Sequence, residues 1–467
     1  MNKAMLVACV VGGLVLGCGD DDGGTPDSGA DTGVDAGSDA QVDAGSDAGI
    51  DSGFDAATAC EEGCELEELE LGAHHACARR ANGEVLCWGW NRFGQLGDGR
   101  HGHADCTGVG GTETQDCSPE PVAVVDVVAT AITSNSGLNT CAMQVDGTVW
   151  CWGLSDFPPP GSDQRDQLFF PEQLPTFAPN PRAVQTRNGN TCTITASGAV
   201  ECWGDNSSGQ VGDGTFVERI TATVVPGLAD VVELDLGSGQ FACARTADGV
   251  SCWGSNRSGQ LGDGTGGPGT HGLCGETGRE YDCSAEPVTV TAFTTEAPSG
   301  LAAQLDLGLE HGCAVTEAGE IWCWGNNDAG QLGTGDRTAT NTPVMVPGIA
   351  GAAQVALGVN NTCARLTNGS VLCWGANDEG QVGDGAAVGS HDECEVFSER
   401  IDCVLTPSPV SLPSGAIDLA AAGRFVCALL EDGSVSCWGE NNRRQLGPNG
   451  PADRSRSTAP VEVDGFQ

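Results

Sequence analysis

Short apolar runs alternate with polar positions along most of the chain, and the runs come in pairs separated by turn signals. In the stretch Cys363-Ala364-Arg365-Leu366-Thr367-Asn368-Gly369-Ser370-Val371-Leu372-Cys373-Trp374-Gly375, one run ends at Asn368-Gly369 and a second alternates out to Cys-Trp-Gly. Period-two alternation on both sides of Asn-Gly predicts an antiparallel hairpin. The cysteines flank the turn almost symmetrically, so the strands place them opposite one another within disulfide reach. A loop follows, Asn377 to Gly385, whose glycines permit the left-handed turns of a tight exit.

This unit recurs. Cys-Trp-Gly appears with its tryptophan at Trp88, Trp152, Trp203, Trp253, Trp324, Trp374 and Trp438, at a base period of about 50 residues, the mark of a repeat array or β-propeller. Six units keep a second signature of the form Gly-Gln-Leu-Gly, at Gly94–Gly97, Gly209–Gly212, Gly259–Gly262, Gly330–Gly333, Gly380–Gly383 and Arg444–Gly447. The unit after Trp152 runs instead through Phe157-Pro158-Pro159-Pro160, which predicts an irregular blade.

Two motifs recurring in register resemble the regulator of chromosome condensation repeat family over roughly residues 66 to 467. The resemblance implies an all-β, seven-bladed β-propeller with four-stranded blades, and implies no function by itself. Leu66 to Gly72 aligns with Leu305–Gly308 and Gln354–Gly358, the strand before each hairpin. Ala459–Val463 aligns with the Pro-Val strands Pro343–Val346 and Pro287–Val290. The expectation is N- and C-terminal strand closure, with the C-terminal strand completing the first blade and removing the ring's free edges.

Ahead of the propeller (60–467), residues 1–17 carry Lys3 and an apolar run too short to span a bilayer, as in a signal peptide. The run ends Leu14-Val15-Leu16-Gly17-Cys18, which resembles a bacterial lipobox, with Cys18 as the lipidated residue. Residues 18–59 hold aspartates at every fourth position from Asp27 to Asp55 and no positive charge, a composition that cannot bury enough apolar surface to order itself. They read as a disordered acidic tether. The chain is therefore expected to be exported and lipid-anchored in the bacterial cell envelope.

The cysteines support export. Hairpin disulfides are expected to join Cys77 with Cys87, Cys141 with Cys151, Cys192 with Cys202, Cys243 with Cys252, Cys313 with Cys323, Cys363 with Cys373 and Cys427 with Cys437, the fourth pair being one residue closer than the rest. Three more pairs, Cys106 with Cys117, Cys274 with Cys283 and Cys394 with Cys403, lie in insertions that follow Gly99, Gly264 and Gly385 of the exit loops, so on a propeller they emerge from one face. Cys60 and Cys64 are expected to pair locally at the end of the tether. Each insertion has a histidine three residues before its first cysteine (His103, His271, His391) and an aspartate just before its second (Asp116, Asp282, Asp402). His, Cys, Asp and Cys can ligate a metal, but an exported cysteine pair is usually oxidised, so stapled loops are expected and no metal or cofactor. Stapled loops on a rigid scaffold are where binding usually resides, which makes His103, His271, His391 and Tyr281 the candidate binding residues.

After Lys3 the chain has 19 arginines against 64 acids, and the propeller alone is near −34. Such a surface repels nucleic acid. The family's nuclear members act as guanine-nucleotide exchange factors on a small GTPase, a partner an exported protein does not meet. No nucleophile elbow, His-Glu-x-x-His or phosphate loop is present. The polar residues just before the first hairpin cysteine, His75, Asn139, Asn190, Gln240, His311 and Asn361, vary in type while keeping place, as structural hydrogen-bonding positions do. The expectation is a monomeric, non-enzymatic scaffold anchored in the envelope, binding a protein or polysaccharide. The alternative is an inhibitor of a secreted hydrolase, as in the exported β-lactamase inhibitor proteins that share this propeller. That reading requires exposed aromatic anchors, for which Trp90, Phe93, Phe169, Phe170, Phe216 and Tyr281 are candidates. A metal-dependent hydrolase using the inserted His and Asp is the remaining reading.

Overall fold

The computed structural model describes residues 63–106, 115–134, 138–154, 167–174, 180–266, 269–275, 280–294, 297 and 299–466. The signal segment, Cys18, the tether, Cys60 and the Phe157–Pro160 run lie outside them. The described residues form seven antiparallel sheets, each from one contiguous stretch of chain. Blade 1 runs through Leu66–Leu71, His75–Arg80, Val85–Trp90 and Asp116–Ala123. Blade 7 runs through Ala416–Ala422, Phe425–Leu430, Val435–Gly439 and Ser457–Val463. The first strands of successive blades touch around a closed ring, so they are the innermost, and the fold is a seven-bladed propeller. Blade 2, whose exit-loop signature is missing, is four-stranded like blades 3, 5 and 7, from Ala129–Thr133 to Gln167–Gln173.

Ring closure differs from the expectation. The C-terminal strand Ser457–Val463 pairs with Val435–Gly439 in its own blade, and Leu66–Leu71 begins blade 1 as its inner strand, so no strand is exchanged. Leu66 to Gly72 read as the second part of a blade because its equivalents also precede the hairpins. Those segments are in fact the start of every blade. The ring closes instead by packing blade 7 on blade 1, with Leu69, Leu71, Ala76 and Trp88 against Phe425, Leu429, Leu446 and Val463. The same kind of cluster fills every other described junction between blades, so the hydrophobic core is distributed between sheets.

Two sets of hydrogen bonds fasten the blades. Outside the axis, six tryptophans (Trp88, Trp152, Trp253, Trp324, Trp374, Trp438) each donate indole Nε1–H to the carbonyl of the signature glutamine in the preceding blade, at 2.8–3.0 Å. The two repeated motifs are thus the two halves of one link. At the axis, inner-strand side chains accept backbone N–H groups of the next blade: Asp235 from Leu307 (2.8 Å), Asp306 from Leu357 (2.7 Å), Asp418 from Leu69 across the closure (3.0 Å). Burial, then the neighbouring Asp235, pushes the Asp306 carboxyl well above its usual range. Burial, then Glu68 and Asp418, does the same to Glu70.

Candidate insertion face

Every expected hairpin pair is directly opposed in the strand register: Cys77 faces Cys87, Cys141 faces Cys151, Cys192 faces Cys202, Cys243 faces Cys252, Cys313 faces Cys323, Cys363 faces Cys373 and Cys427 faces Cys437. All seven are bonded, with Cα separations of 4.0–4.1 Å. The fourth pair matches the rest, because its hairpin closes one residue earlier, Thr246 opposite Gly249, and leaves Cys243 and Cys252 aligned. Cys106–Cys117, Cys274–Cys283 and Cys394–Cys403 are also disulfides. Cys64 is disulfide-bonded, while its expected partner Cys60 lies outside the described residues. By the chain-entropy relation, a ring of about ten residues contributes up to ~2.5 kcal/mol. Ten such bonds imply an oxidising, extracytoplasmic setting. Among the described residues no helix is long and apolar enough to cross a membrane.

The insertions are short β-hairpins built onto blades 1, 4 and 6. Ala104–Asp105, Leu273–Cys274 and Asp392–Val396 each pair with the lengthened outer strand, giving these blades a fifth strand. All three sit at one end of the blades, since Cys117, Cys283 and Cys403 lie opposite Trp90, Ser255 and Ala376 at the ends of the third strands. In a seven-fold ring, blades 1, 4 and 6 are as evenly spread as three can be. Both ends of the described propeller lie at the other face: Leu66 pairs with Arg80 beside the Asn82-Gly83 turn, and Val463 with Val435.

The exit loop fixes the base of each hairpin. Asn91, Asn256 and Asn377 accept the backbone N–H of Leu96, Leu261 and Val382 through Oδ1, at 3.0–3.1 Å. Their Nδ2–H groups donate to Asp116, Asp282 and Asp402 at 2.8–2.9 Å. That carboxylate in turn takes the backbone N–H of the insertion histidine, from His103 (2.7 Å), His271 (3.0 Å) and His391 (3.1 Å). The imidazole then lies between two carboxylates. His271 has Asp282 2.8 Å from Nδ1 and Asp263 3.0 Å from Nε2; His391 has Asp402 at 3.0 Å and Asp384 at 2.9 Å; His103 has Asp116 at 3.2 Å and Asp98 at 2.8 Å. Partial burial works against their charge, but the paired carboxylates outweigh it and raise all three histidines above their usual value. Blade 3 has no insertion, and there Arg219 takes the place of the histidine against Asp213.

The three candidate histidines are therefore brought to equivalent places, but as pins holding the hairpins down. Tyr281 is likewise engaged, with its hydroxyl 2.8 Å from Ser208 Oγ and Arg257 stacked 4.3 Å from its ring centre. The insertion cysteines are consumed in disulfides, which leaves one imidazole and two carboxylates per hairpin. Trp90 is buried, edge-on to Phe93 and covered by Arg443. Of the aromatics proposed as anchors, Phe170 and Phe216 are exposed, and Phe397 exceeds both at 73% exposure. Phe397 escaped the sequence reading, although it forms with Ser398 a turn of two left-handed residues at the tip of the blade 6 hairpin. The asparagine that begins each exit loop was also missed, and its constant spacing of five residues before the signature Leu or Val was the available signal.

The two histidines at the position before the first hairpin cysteine form hydrogen bonds between blades. His75 Nε2 lies 2.8 Å from Thr140 Oγ1 and His311 Nε2 3.1 Å from Thr362 Oγ1, each a buried link between blades. Burial pushes both histidines down to about 3. In blade 4 the register gives this place to Phe241, opposite Gly254, so Gln240 is one residue out of step.

With seven blades, paired motifs and cross-blade links in place, comparison with known families is decisive: residues 113–467 match the RCC1-like domain and 68–95 the regulator of chromosome condensation (RCC1) repeat. The chain belongs to the RCC1 repeat family. Similar RCC1 relatives include the mitochondrial RCC1 domain-containing protein RUG3 of Arabidopsis thaliana, 26% identical with 82% of both chains covered. The ultraviolet-B receptor UVR8 of the same plant is 26% identical over 62% of this chain and 59% of its own, and human E3 ubiquitin-protein ligase HERC2 is 27% identical over 60% of this chain but 5% of its own. The chain thus spans less than two thirds of the length of these last two. Among solved RCC1-type folds, Prp20p of Saccharomyces cerevisiae superposes with a TM-score of 0.63 at 18% identity, covering 81% of this chain and 85% of that one.

Proposed function

We propose that this RCC1-family chain is a non-catalytic binding scaffold, anchored to the cell envelope through lipidated Cys18 and an acidic tether, with its insertion face turned to a protein or polysaccharide partner. The observation that carries the reading is the opposition of the two faces. The described chain enters the propeller at the turn face, and the three disulfide-pinned hairpins stand on the other. Pinned hairpins bind with little ordering cost, since their conformation is set beforehand. Relatives are compatible with a binding role: Prp20p is described by its binding to Gsp1p and histones, and UVR8 as a receptor. The inhibitor reading draws on Phe397, an exposed aromatic at a hairpin tip of the kind that anchors in an enzyme pocket.

Photo-crosslinking in the native envelope tests the scaffold. A photoreactive residue at position 397 is expected to capture a partner that one at position 82, on the turn face, does not. Capture from 82 alone sinks the orientation, and capture of a secreted hydrolase from 397 selects the inhibitor. Cys18→Ala is expected to release the chain from the membrane fraction, and unchanged membrane association would remove the lipid anchor from the reading.

A further inference from the structure

An exposed outer strand is a template for pairing with another chain, and proteins commonly block it with proline. Six of the seven outer strands here carry one at the same place, one residue before the partner of the third-strand cysteine: Pro121, Pro171, Pro287, Pro343, Pro407 and Pro460. In blade 3, Cys202 pairs with Thr223, and the place of the proline is taken by Ala222. The N–H of Val225 points inward to Val200 O, so by alternation the N–H and C=O of Ala222 and Val224 point outward, while Ile220 lies where the register shifts between Thr223 and Arg219. This outer strand, Arg219–Val224, also lacks the fifth strand found on blades 1, 4 and 6. Its Ile220 and Val224 are 69% and 55% exposed, and the preceding Val217 is 59% exposed. Among the described residues it is the one outer strand with neither a proline there nor a fifth strand, although it shares the register shift of the others.

The sequence of that edge says what fits it. Ile220-Thr221-Ala222-Thr223-Val224 reads almost alike in both directions. An antiparallel copy laid beside it sets Ala222 against Ala222 on a two-fold axis, Ile220 against Val224, and Thr221 against Thr223. The central Ala222 pair would exchange two backbone hydrogen bonds, and β-branched residues would meet β-branched residues, the self-complementarity of an isologous contact. We propose that the outer strand of blade 3 is a homodimer edge whose occupant is the same strand of a second copy of this chain, in place of the monomer expected from the sequence.

Each propeller carries a charge near −34, so the copies repel one another at long range and salt is expected to favour the dimer. A basic partner on the same edge would show the opposite salt dependence. The test is light scattering coupled to gel filtration on the mature chain, at concentrations up to ~100 µM and salt between about 0.05 and 0.5 M. Wild type is expected to double its mass as concentration and salt rise. Ala222→Pro installs the residue the other six blades tolerate, and Ile220→Lys puts a charge on the edge without touching the core. Both are expected to stay monomeric with unchanged thermal unfolding. A wild type that remains monomeric throughout, or a dimer that survives either substitution, overturns the proposal.

Discussion

Gly333→Ala attacks the link between the two repeated motifs at a single atom. Gly333 has φ +70°, and a Cβ placed there would lie 2.7 Å from Trp374 Nε1 and 3.0 Å from Cε2, far inside contact. The side chain of Trp374 is fully buried and its Nε1–H donates to Gln331 O at 2.9 Å. Forcing the indole away costs about 1–3 kcal/mol as overpacking, and stranding its N–H costs about 1–3 kcal/mol. The carbonyl of Gln331 keeps a donor in Thr362 Oγ1 (2.9 Å), so no further penalty arises there. The left-handed backbone adds about 1 kcal/mol, which a control removes. Gly348 has φ +81° with open space around its Cβ position, so Gly348→Ala carries the backbone cost alone. The difference between the two variants is expected to be about 2–6 kcal/mol, a large share of a typical total of ~5–15 kcal/mol. Urea unfolding under non-reducing conditions, followed by tryptophan fluorescence and circular dichroism, measures it. A difference below about 1 kcal/mol would refute the view that the glycine is required by the indole.

The remaining predictions concern protons. The insertion histidines hold theirs more tightly folded than unfolded, so their contribution is full below the unfolded value near 6.5 and is lost as pH rises through the higher folded value. Hydrogen exchange at the His391 amide is expected to speed up above neutral pH in wild type, beyond the intrinsic base catalysis, and His391→Gln should show no such step. His75 and His311 act in the opposite sense: held near 3, they contribute above 6.5 and lose that contribution as pH falls toward 3. Their ring protons should show no titration by NMR between pH 5 and 8, and a midpoint near 6.5 would contradict their burial. Asp306, raised by burial and Asp235, destabilises the ring as it ionises, so Asp306→Asn is expected to match or exceed wild-type thermal stability at pH 8. Finding the variant less stable at pH 8 than wild type, by more than at pH 5, would reverse that assignment.

Much of the fold was legible because its elements are local. A hairpin of Cys363–Gly375 carries its alternation, turn and disulfide within thirteen consecutive residues. The three insertions announced themselves by their spacing. What the sequence concealed lies at long separation. Leu69 binds Asp418, 349 residues away, and the acidic inner strand Leu66–Leu71 gave no sign that its carboxylates would be buried and tied to the next blade. The phase of the blades was equally hidden, since a repeat read from Cys-Trp-Gly does not say where one sheet stops. The histidines were found for their spacing to the cysteines, but the exit-loop aspartates that complete their clamps precede the insertions and were not joined to them. Phe241 was missed because one hairpin is a residue shorter.

The closure of blade 7 on blade 1 also sets an order of events. Trp88 is the first of the signature tryptophans to be synthesised, and the carbonyl it requires belongs to Gln445, 357 residues later. A chain that leaves the ribosome, and any export channel, N-terminus first must hold blade 1 with one flank bare until the last blade arrives. The hairpin disulfide Cys77–Cys87, which needs nothing beyond its own ten-residue span, is then a covalent constraint between the second and third strands of the waiting blade, and it can keep that hairpin from unravelling while the ring is still open.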